Sequence, residues 1–356
     1  MTFFFNLLYS VCISYLLGIT YSKYKLKNTI LFIQIFICIG FIWIIICGGQ
    51  FCVGTDYNSY MDLFNGYKIE YFADKKHEYL FYYIVVICNN IGIKGQSLFY
   101  IFYFINFIFL FLFIKRLNLK YIFLFILLYI TYSNMFNNQL NMVRQGTAIH
   151  LCTYAGILYS EGKYKKTLFW IVVSTFLHLA SLFALSLFTF KYLKRLSPFH
   201  LKIILISSAV GMFFMSSGVF SIISNFLPIQ YQLHLERDAT DSGIMGVITK
   251  LIFIPLFWMS SFLNIKNLTK EYNTLFYIGF LGFCIKLLLL KLPVVNRLAD
   301  FFILFSIFPI YLLLVDLYRN NKKFLFFTIC ICLLLFYGMK TILFPTREYL
   351  YNSIYF

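Results

Sequence analysis

Five of the thirteen carboxylates in this chain, Asp56, Asp62, Glu70, Asp74 and Glu78, fall between residues 54 and 78. The segment begins at Val53-Gly54-Thr55-Asp56-Tyr57-Asn58-Ser59-Tyr60, a polar and aromatic island between two apolar runs. A carboxylate at a membrane boundary takes the proton of an attacking hydroxyl when it lies within hydrogen-bond reach, so Asp56 and Glu78 are candidate general bases. Gly54 allows a tight turn ahead of Asp56. Tyr57 and Tyr60 offer aromatic faces of the kind that stack on sugar rings. The bland alternative is a turn whose Asp56 caps a short helix over 57–65.

Cations follow further along. In MFNNQLNMVRQGTAIH, Asn137, Asn141 and Arg144 are spaced by four and three, which predicts one helical face with Gln145 beside it. Arg144 has no local acid to pair with. Its fork either holds phosphate oxygens in bidentate fashion or snorkels to lipid headgroups. Ser174, His178 and Ser181 share a face within FWIVVSTFLHLASLF, where an ionisable group is either a satisfied core residue or a functional one. In PVVNRLADFF, Arg297 and Asp300 are spaced for a direct ion pair, the alternative being Arg297 as a second cation for a diphosphate. There is no HExxH or His-rich spacing, Cys330-x-Cys332 fits neither metal nor redox chemistry, and Glu236-Arg237-Asp238 is a weak metal signal. The expectation is a site without metal or cofactor.

The elements that must position these groups are membrane helices. With 61% hydrophobic and 12% charged residues, the chain cannot be a soluble globular domain, whose charged share is about 25%. Apolar stretches near 3–20, 29–48, 79–93, 97–114, 121–136, 142–160, 167–190, 201–227, 244–263, 274–292, 298–318 and 324–343 mostly approach the roughly 20 residues of a spanning helix. The fold class is therefore an all-α integral membrane protein, a polytopic bundle of about ten to fourteen hydrophobic helices in one domain over 1–356. The first apolar run has no basic residue ahead of it and no clear cleavage site, so it resembles a retained helix.

A net charge of +17 could suggest nucleic acid, but the lysines form short blocks between apolar runs, which argues against that partner. The blocks at 22–27, 115–120, 161–166, 191–195 and 319–323 all favour the cytoplasm. Odd numbers of apolar segments separate some of them, and odd numbers cannot return a chain to its starting side. Either lysine bias misleads the rule, or one segment between 79 and 114 fails to cross and 167–190 enters and returns as a bent pair around His178. A second polar loop at 228–243 adds Glu236, Asp238 and Asp241, so eight of the thirteen carboxylates occupy two loops. Acidic, aromatic loops on the outer face suit sugars.

The order VGTDYNSY, Glu78, NMVRQGTA, EGKYKK, TFLHLASL, NRLADFF resembles the EpsG family of bacterial exopolysaccharide membrane proteins, which includes Wzy-type polymerases of O-antigen and capsule. The resemblance covers roughly residues 40–310. It implies polymerisation of oligosaccharide repeat units carried on undecaprenyl diphosphate, at the periplasmic face of the bacterial inner membrane. Its partners would be lipid-linked donor and acceptor in the membrane, with a chain-length regulator protein left open. Carried over motif by motif, it points to Asp56, Tyr57, Glu78, Arg144, Gln145, His178 and Arg297. Phe301 and Phe302 stand where family members often have a tyrosine. In this chemistry Asp56 or Glu78 is the base, with His178 third, while Arg144 and Arg297 stabilise the diphosphate; Tyr57, Tyr60, Asn141 and Gln145 complete the substrate contacts. A lipid-linked oligosaccharide flippase would favour repeated halves, which are not evident. A membrane O-acyltransferase would rest on His178 and dispense with the Gly-Thr-Asp-Tyr loop.

Overall fold

The computed structural model describes residues 1–24, 28–117, 121–190, 196–214, 250–264, 268–343 and 349–355. The acidic loop 228–243 and the basic block 191–195 lie outside the described residues. Among those described, the secondary structure is helical apart from one isolated bridge between Gln50 and Ser353. Among the described residues, four helices are long and apolar enough to cross a membrane: Thr2–Tyr21, Thr29–Gly48, Gln96–Leu117 and Lys323–Leu343. A bent pair, Val295–Phe302 and Ile307–Arg319, broken at 42°, is a candidate fifth. This is a multi-pass membrane protein.

The chain divides into two compact units, the first comprising Met1–Leu185 with Leu317–Phe356 and the second Ser186–Asp316. In the first unit, α1 (Thr2–Tyr24) is followed by α2 (Asn28–Ile35), a π turn (Phe36–Gly40) and α3 (Phe41–Gly48). The loop after it carries α4 (Tyr57–Phe64) and α5 (Glu70–Asp74), and then come α6 (Tyr79–Asn90) and α7 (Gln96–Leu117). Next are α8 (Ile122–Thr131), α9 (Met135–Asn141), α10 (Val143–Ser160) and α11 (Tyr164–Leu177).

The centre of the unit is α10, which packs on α7 and α11. Every residue of α10 except Arg144 is buried. Its small residues Gly146, Ala148, Ala155 and Gly156 let neighbouring helices approach, the usual device where helices pack without a water-driven force between them. Trp43 of α3 stacks on Tyr129 of α8 at 5.4 Å, and its indole N–H donates to Ser10 at 2.9 Å, so a large ring is buried with its polar atom satisfied.

Two ends of this unit are chemically distinct. At one end Arg116, in the last turn of α7, donates to both oxygens of Glu161 at 3.1 and 2.9 Å, and Lys163 donates to the same carboxylate at 2.6 Å. Arg116 of one basic block is therefore joined to Glu161 and Lys163 of another at this end. At the other end lie Gly48, Gln50, Tyr57 and Gln96, tied together by hydrogen bonds. α6 begins at this end, and the residues after it return the chain to the start of α7, where the Gly95 N–H donates to the Phe64 carbonyl at 3.3 Å. Its 12 residues reach about 18 Å, short of a hydrocarbon core of about 30 Å. The apolar segment 79–93 thus holds no helix long and apolar enough to cross a membrane by length and composition.

In the second unit, α12 (Pro198–Phe214) packs on α13 (Ile254–Ser260) and on α14 (Lys270–Leu288). α15 (Pro293–Ala299) runs into a 3-10 turn (Asp300–Phe302) ahead of α16 (Ile307–Arg319). A Cβ on Gly279 would strike the Phe305 carbonyl, so glycine is what lets these backbones meet. α17 (Lys323–Gly338) belongs to the first unit and packs on α8.

Candidate functional site

Three interruptions of the chain meet in the first unit. The first is the end of the loop 49–78, where His77 takes a left-handed conformation (φ 55°) and Glu78 occupies the position before α6. A non-glycine residue in that region is uncommon and concentrates at functional sites. The second is Met142 (φ −114°, ψ 56°), which separates α9 from α10. The third is His178, whose extended backbone (φ −156°, ψ 114°) ends α11 ahead of a 3-10 helix, Leu179–Thr189. The break in 167–190 thus falls at His178, where the sequence places it, and the second leg is the 3-10 helix Leu179–Thr189; the basic block 191–195 beyond it is outside the described residues.

Glu78 joins the three breaks. Only 2% exposed, it accepts from Arg144 through Oε2 and from His178 Nδ1 through Oε1 at 2.9 Å. Oε1 also accepts from the Leu179 N–H at 3.5 Å, one of the amides at the start of the 3-10 helix. Arg144 had no acid near it in sequence; its partner comes from 66 positions away. The guanidinium carbon lies 4.4 Å from the Phe72 ring centroid and 5.3 Å from that of Phe81, and the Arg144 N–H donates to the Tyr60 hydroxyl at 3.5 Å. Arg144 Nε is buried with no hydrogen-bond partner. Burial raises the affinity of Glu78 for a proton, but the His178 hydrogen bond and the charges of Arg144, His178 and Lys76 outweigh it and hold the carboxyl below its ordinary range.

Asp56 occupies a different setting beside the same segment. Its N–H donates to Asn141 Oδ1 at 2.9 Å, and Asn141 Nδ2 donates to the Thr55 hydroxyl at 3.2 Å. Gly54 sits at φ 76°, and a Cβ there would lie 2.5 Å from Asn141 Oδ1, so the turn requires glycine both for conformation and for space. The Asp56 carboxylate is exposed and accepts from the Thr55 hydroxyl at 3.0 Å. The short helix expected after it is present as α4, but the Asp56 side chain does not cap it.

Other expected positions are placed as follows. The Tyr57 hydroxyl donates to Gln96 Oε1 at 2.7 Å and its ring stacks on Phe99, so this tyrosine pins the loop to α7. Tyr60 is buried beside Arg144, and Gln145 is buried one residue further on. Asn137, Asn141 and Arg144 do not share one helical face. Met142 breaks the helix between Asn141 and Arg144, and Asn137 turns to accept from the Tyr337 hydroxyl at 2.7 Å. Ser174 bonds with Cys152 at 3.0 Å and Ser181 donates to the His178 carbonyl at 2.8 Å, so neither hydroxyl stands with the imidazole as a catalytic partner. In the second unit Asp300 pairs with Lys286, fourteen positions back, where the sequence spacing suggested Arg297; Arg297 itself is exposed at the end of α15. Lys76 and Gln96 are site residues that motif spacing did not single out. Their only signal was position, one in the turn before Glu78 and the other at the head of an apolar run.

Chemically, the cluster is an ionised carboxylate that bridges a guanidinium and an imidazole. A carboxylate has no proton to offer, so in the neutral ring the Nδ1 contact fixes the proton on Nδ1 and puts the lone pair on Nε2. Such a pair polarises the imidazole for proton abstraction, while the adjacent guanidinium supplies positive charge in a partly desolvated setting.

A family model described as the EpsG family matches residues 32–353, nearly the whole chain. No curated protein and no solved structure matches it. The chain belongs to the EpsG family.

Proposed function

We propose that this EpsG-family chain is a polysaccharide polymerase that joins oligosaccharide repeat units carried on undecaprenyl diphosphate, at the periplasmic face of the bacterial inner membrane. The products are O-antigen or a related surface polysaccharide. The observation that carries this reading is the Glu78–Arg144–His178 cluster at the end of α10 remote from the Arg116–Glu161–Lys163 group. α10 has 18 residues and reaches about 27 Å, close to the thickness of a hydrocarbon core. With the basic end in the cytoplasm, the cluster faces the opposite side, where lipid-linked repeat units are joined.

The reaction forms one bond and breaks one. A hydroxyl of the terminal sugar on one lipid-linked unit attacks the anomeric carbon of the growing chain, His178 Nε2 takes the hydroxyl proton, and the bond to diphosphate breaks with its electron pair on the leaving oxygen. Glu78 keeps the imidazole in the required tautomer and balances the imidazolium that forms. Arg144 offsets the charge that develops on the diphosphate. Cleavage of the bond between the anomeric carbon and the lipid diphosphate supplies the driving force, in accord with a sequence that lacks a nucleotide loop. Asp56, exposed at the turn held by Asn141, orients the incoming sugar through its hydroxyls and is the alternative base.

The test is a gel ladder from the purified protein in nanodiscs supplied with its cognate lipid-linked repeat unit. His178→Ala is expected to abolish the ladder while the protein still inserts. A ladder of wild-type intensity from that variant overturns the assignment of the base. Radiolabelled acyl transfer dependent on His178, with no ladder, overturns the polymerase reading.

A further inference from the structure

Glu78 has spent both oxygens: Oε2 on Arg144, Oε1 on His178 and the Leu179 amide. A second cation stands beside the pair. Lys76, half-buried in the turn before Glu78, places its ammonium 5.3 Å from the centroid of Phe72 and 5.6 Å from that of Tyr71. Phe72 is also the ring against which the Arg144 guanidinium lies, at 4.4 Å. Both cations therefore border one aromatic wall. Among the described residues Lys76 forms no ion pair, and the Arg144 Nε–H is buried with nothing to donate to. Two cations against one carboxylate leave a positive charge in excess at a partly desolvated place, together with an unused donor.

We propose that Lys76 is a further anion-binding residue of this site, its ammonium contacting the phosphoryl oxygens of the lipid-linked donor beside Arg144. The inference rests on the polymerase reading and refines it. Arg144 is tied to Glu78, so its guanidinium supplies charge from a fixed position and cannot follow the ligand. Lys76, on a flexible four-carbon stem and with three donors to aim, is the cation able to reach for an incoming diphosphate and let it go. Retaining an ammonium here is costly without a ligand: burial and the Arg144 charge both lower its proton affinity, and Glu78 only partly offsets them.

The test uses the full chain in nanodiscs, with Lys76→Gln and Lys76→Arg. Binding of undecaprenyl diphosphate is measured by native mass spectrometry, with inorganic pyrophosphate as the soluble probe, and the polymerisation ladder gives KM and kcat for the donor. Lys76→Gln is expected to weaken lipid diphosphate binding by about tenfold and to raise KM by a similar factor, with kcat within about threefold of wild type. Lys76→Arg is expected to restore most of the binding. Wild-type affinity in Lys76→Gln overturns the proposal, as does a fall in kcat at unchanged KM or equal loss in both variants. Pyrophosphate binding as tight as that of the lipid, with the same dependence on Lys76, supports the phosphoryl contact and assigns it to the headgroup alone. If Lys76→Gln weakens binding but wild type makes no ladder, the anion contact stands and the polymerase reading falls. If wild type makes a ladder that Lys76→Gln leaves unchanged, the polymerase reading stands and this inference falls.

Discussion

Asp56 and Glu78 belong to one loop and look alike in sequence, yet their surroundings are opposite. Asp56 is exposed, and what holds it in place is its backbone: the N–H bonds to Asn141, while the carboxylate receives only the neighbouring Thr55 hydroxyl. Glu78 is buried, and its side chain is the link among α6, α10 and the break after α11. An acid held by its backbone is replaceable at the carboxylate without loss of the loop. An acid held by its carboxylate is part of the fold, and in the proposed mechanism its task is to position another group.

The contrast is broken or sharpened most strongly at Glu78. Glu78→Ala leaves the partly buried Arg144 without its counter-charge, at a cost of up to about 3–5 kcal/mol, and is expected to abolish the ladder and to lower the unfolding temperature in detergent. His178→Ala is expected to lower polymerisation by about 10²–10⁴-fold, the usual worth of a positioned base, with the unfolding temperature changed little. Gly54→Ala forces a left-handed residue and a contact with Asn141, so we expect about 1–2 kcal/mol of local destabilisation, read as faster proteolysis of the loop 49–78 and a weaker ladder. Asp56→Asn keeps the backbone bond to Asn141 and is expected to reduce the ladder by about tenfold or less; a loss as deep as that of His178→Ala would make Asp56 the base.

The smallest effect is on pH dependence. Glu78 has a depressed proton affinity in the fold, so its ion pair contributes fully above the ordinary glutamate range, near about 4.3, and that contribution fades as pH falls through the lower folded value. The difference in unfolding temperature between wild type and Glu78→Gln is therefore expected to be constant from pH 7 to pH 5 and to shrink below. A difference that already shrinks between pH 7 and pH 5 would show that Glu78 is not held ionised by its neighbours.

Much of the architecture was legible because its signal is local. Twenty-residue apolar runs became the helices Thr29–Gly48 and Gln96–Leu117, while 79–93, within the stretch where the basic blocks conflict, holds only the short helix Tyr79–Asn90. Glu78, Arg144 and His178 were each visible as ionisable residues in apolar surroundings. Their union was not, because it depends on contacts 66 and 100 positions apart in the chain. The shared face of Asn137, Asn141 and Arg144 failed for a related reason. Spacing arguments presume an unbroken helix, and the break at Met142 carries neither proline nor glycine to announce it. Likewise Asp300 took Lys286 over its near neighbour in sequence, since α14 packs against α15 and the turn after it.

α10 carries a last consequence. A single buried rod joins the Arg116–Glu161 group at one end to Arg144 at the other, so the height of the reacting groups in the bilayer is fixed by one helix. In the proposed polymerisation the anchored lipid would then approach sideways at the level of its own headgroup, without being lifted from its leaflet. Only the sugar chain would leave that plane, each added unit pushing its predecessors outward into water.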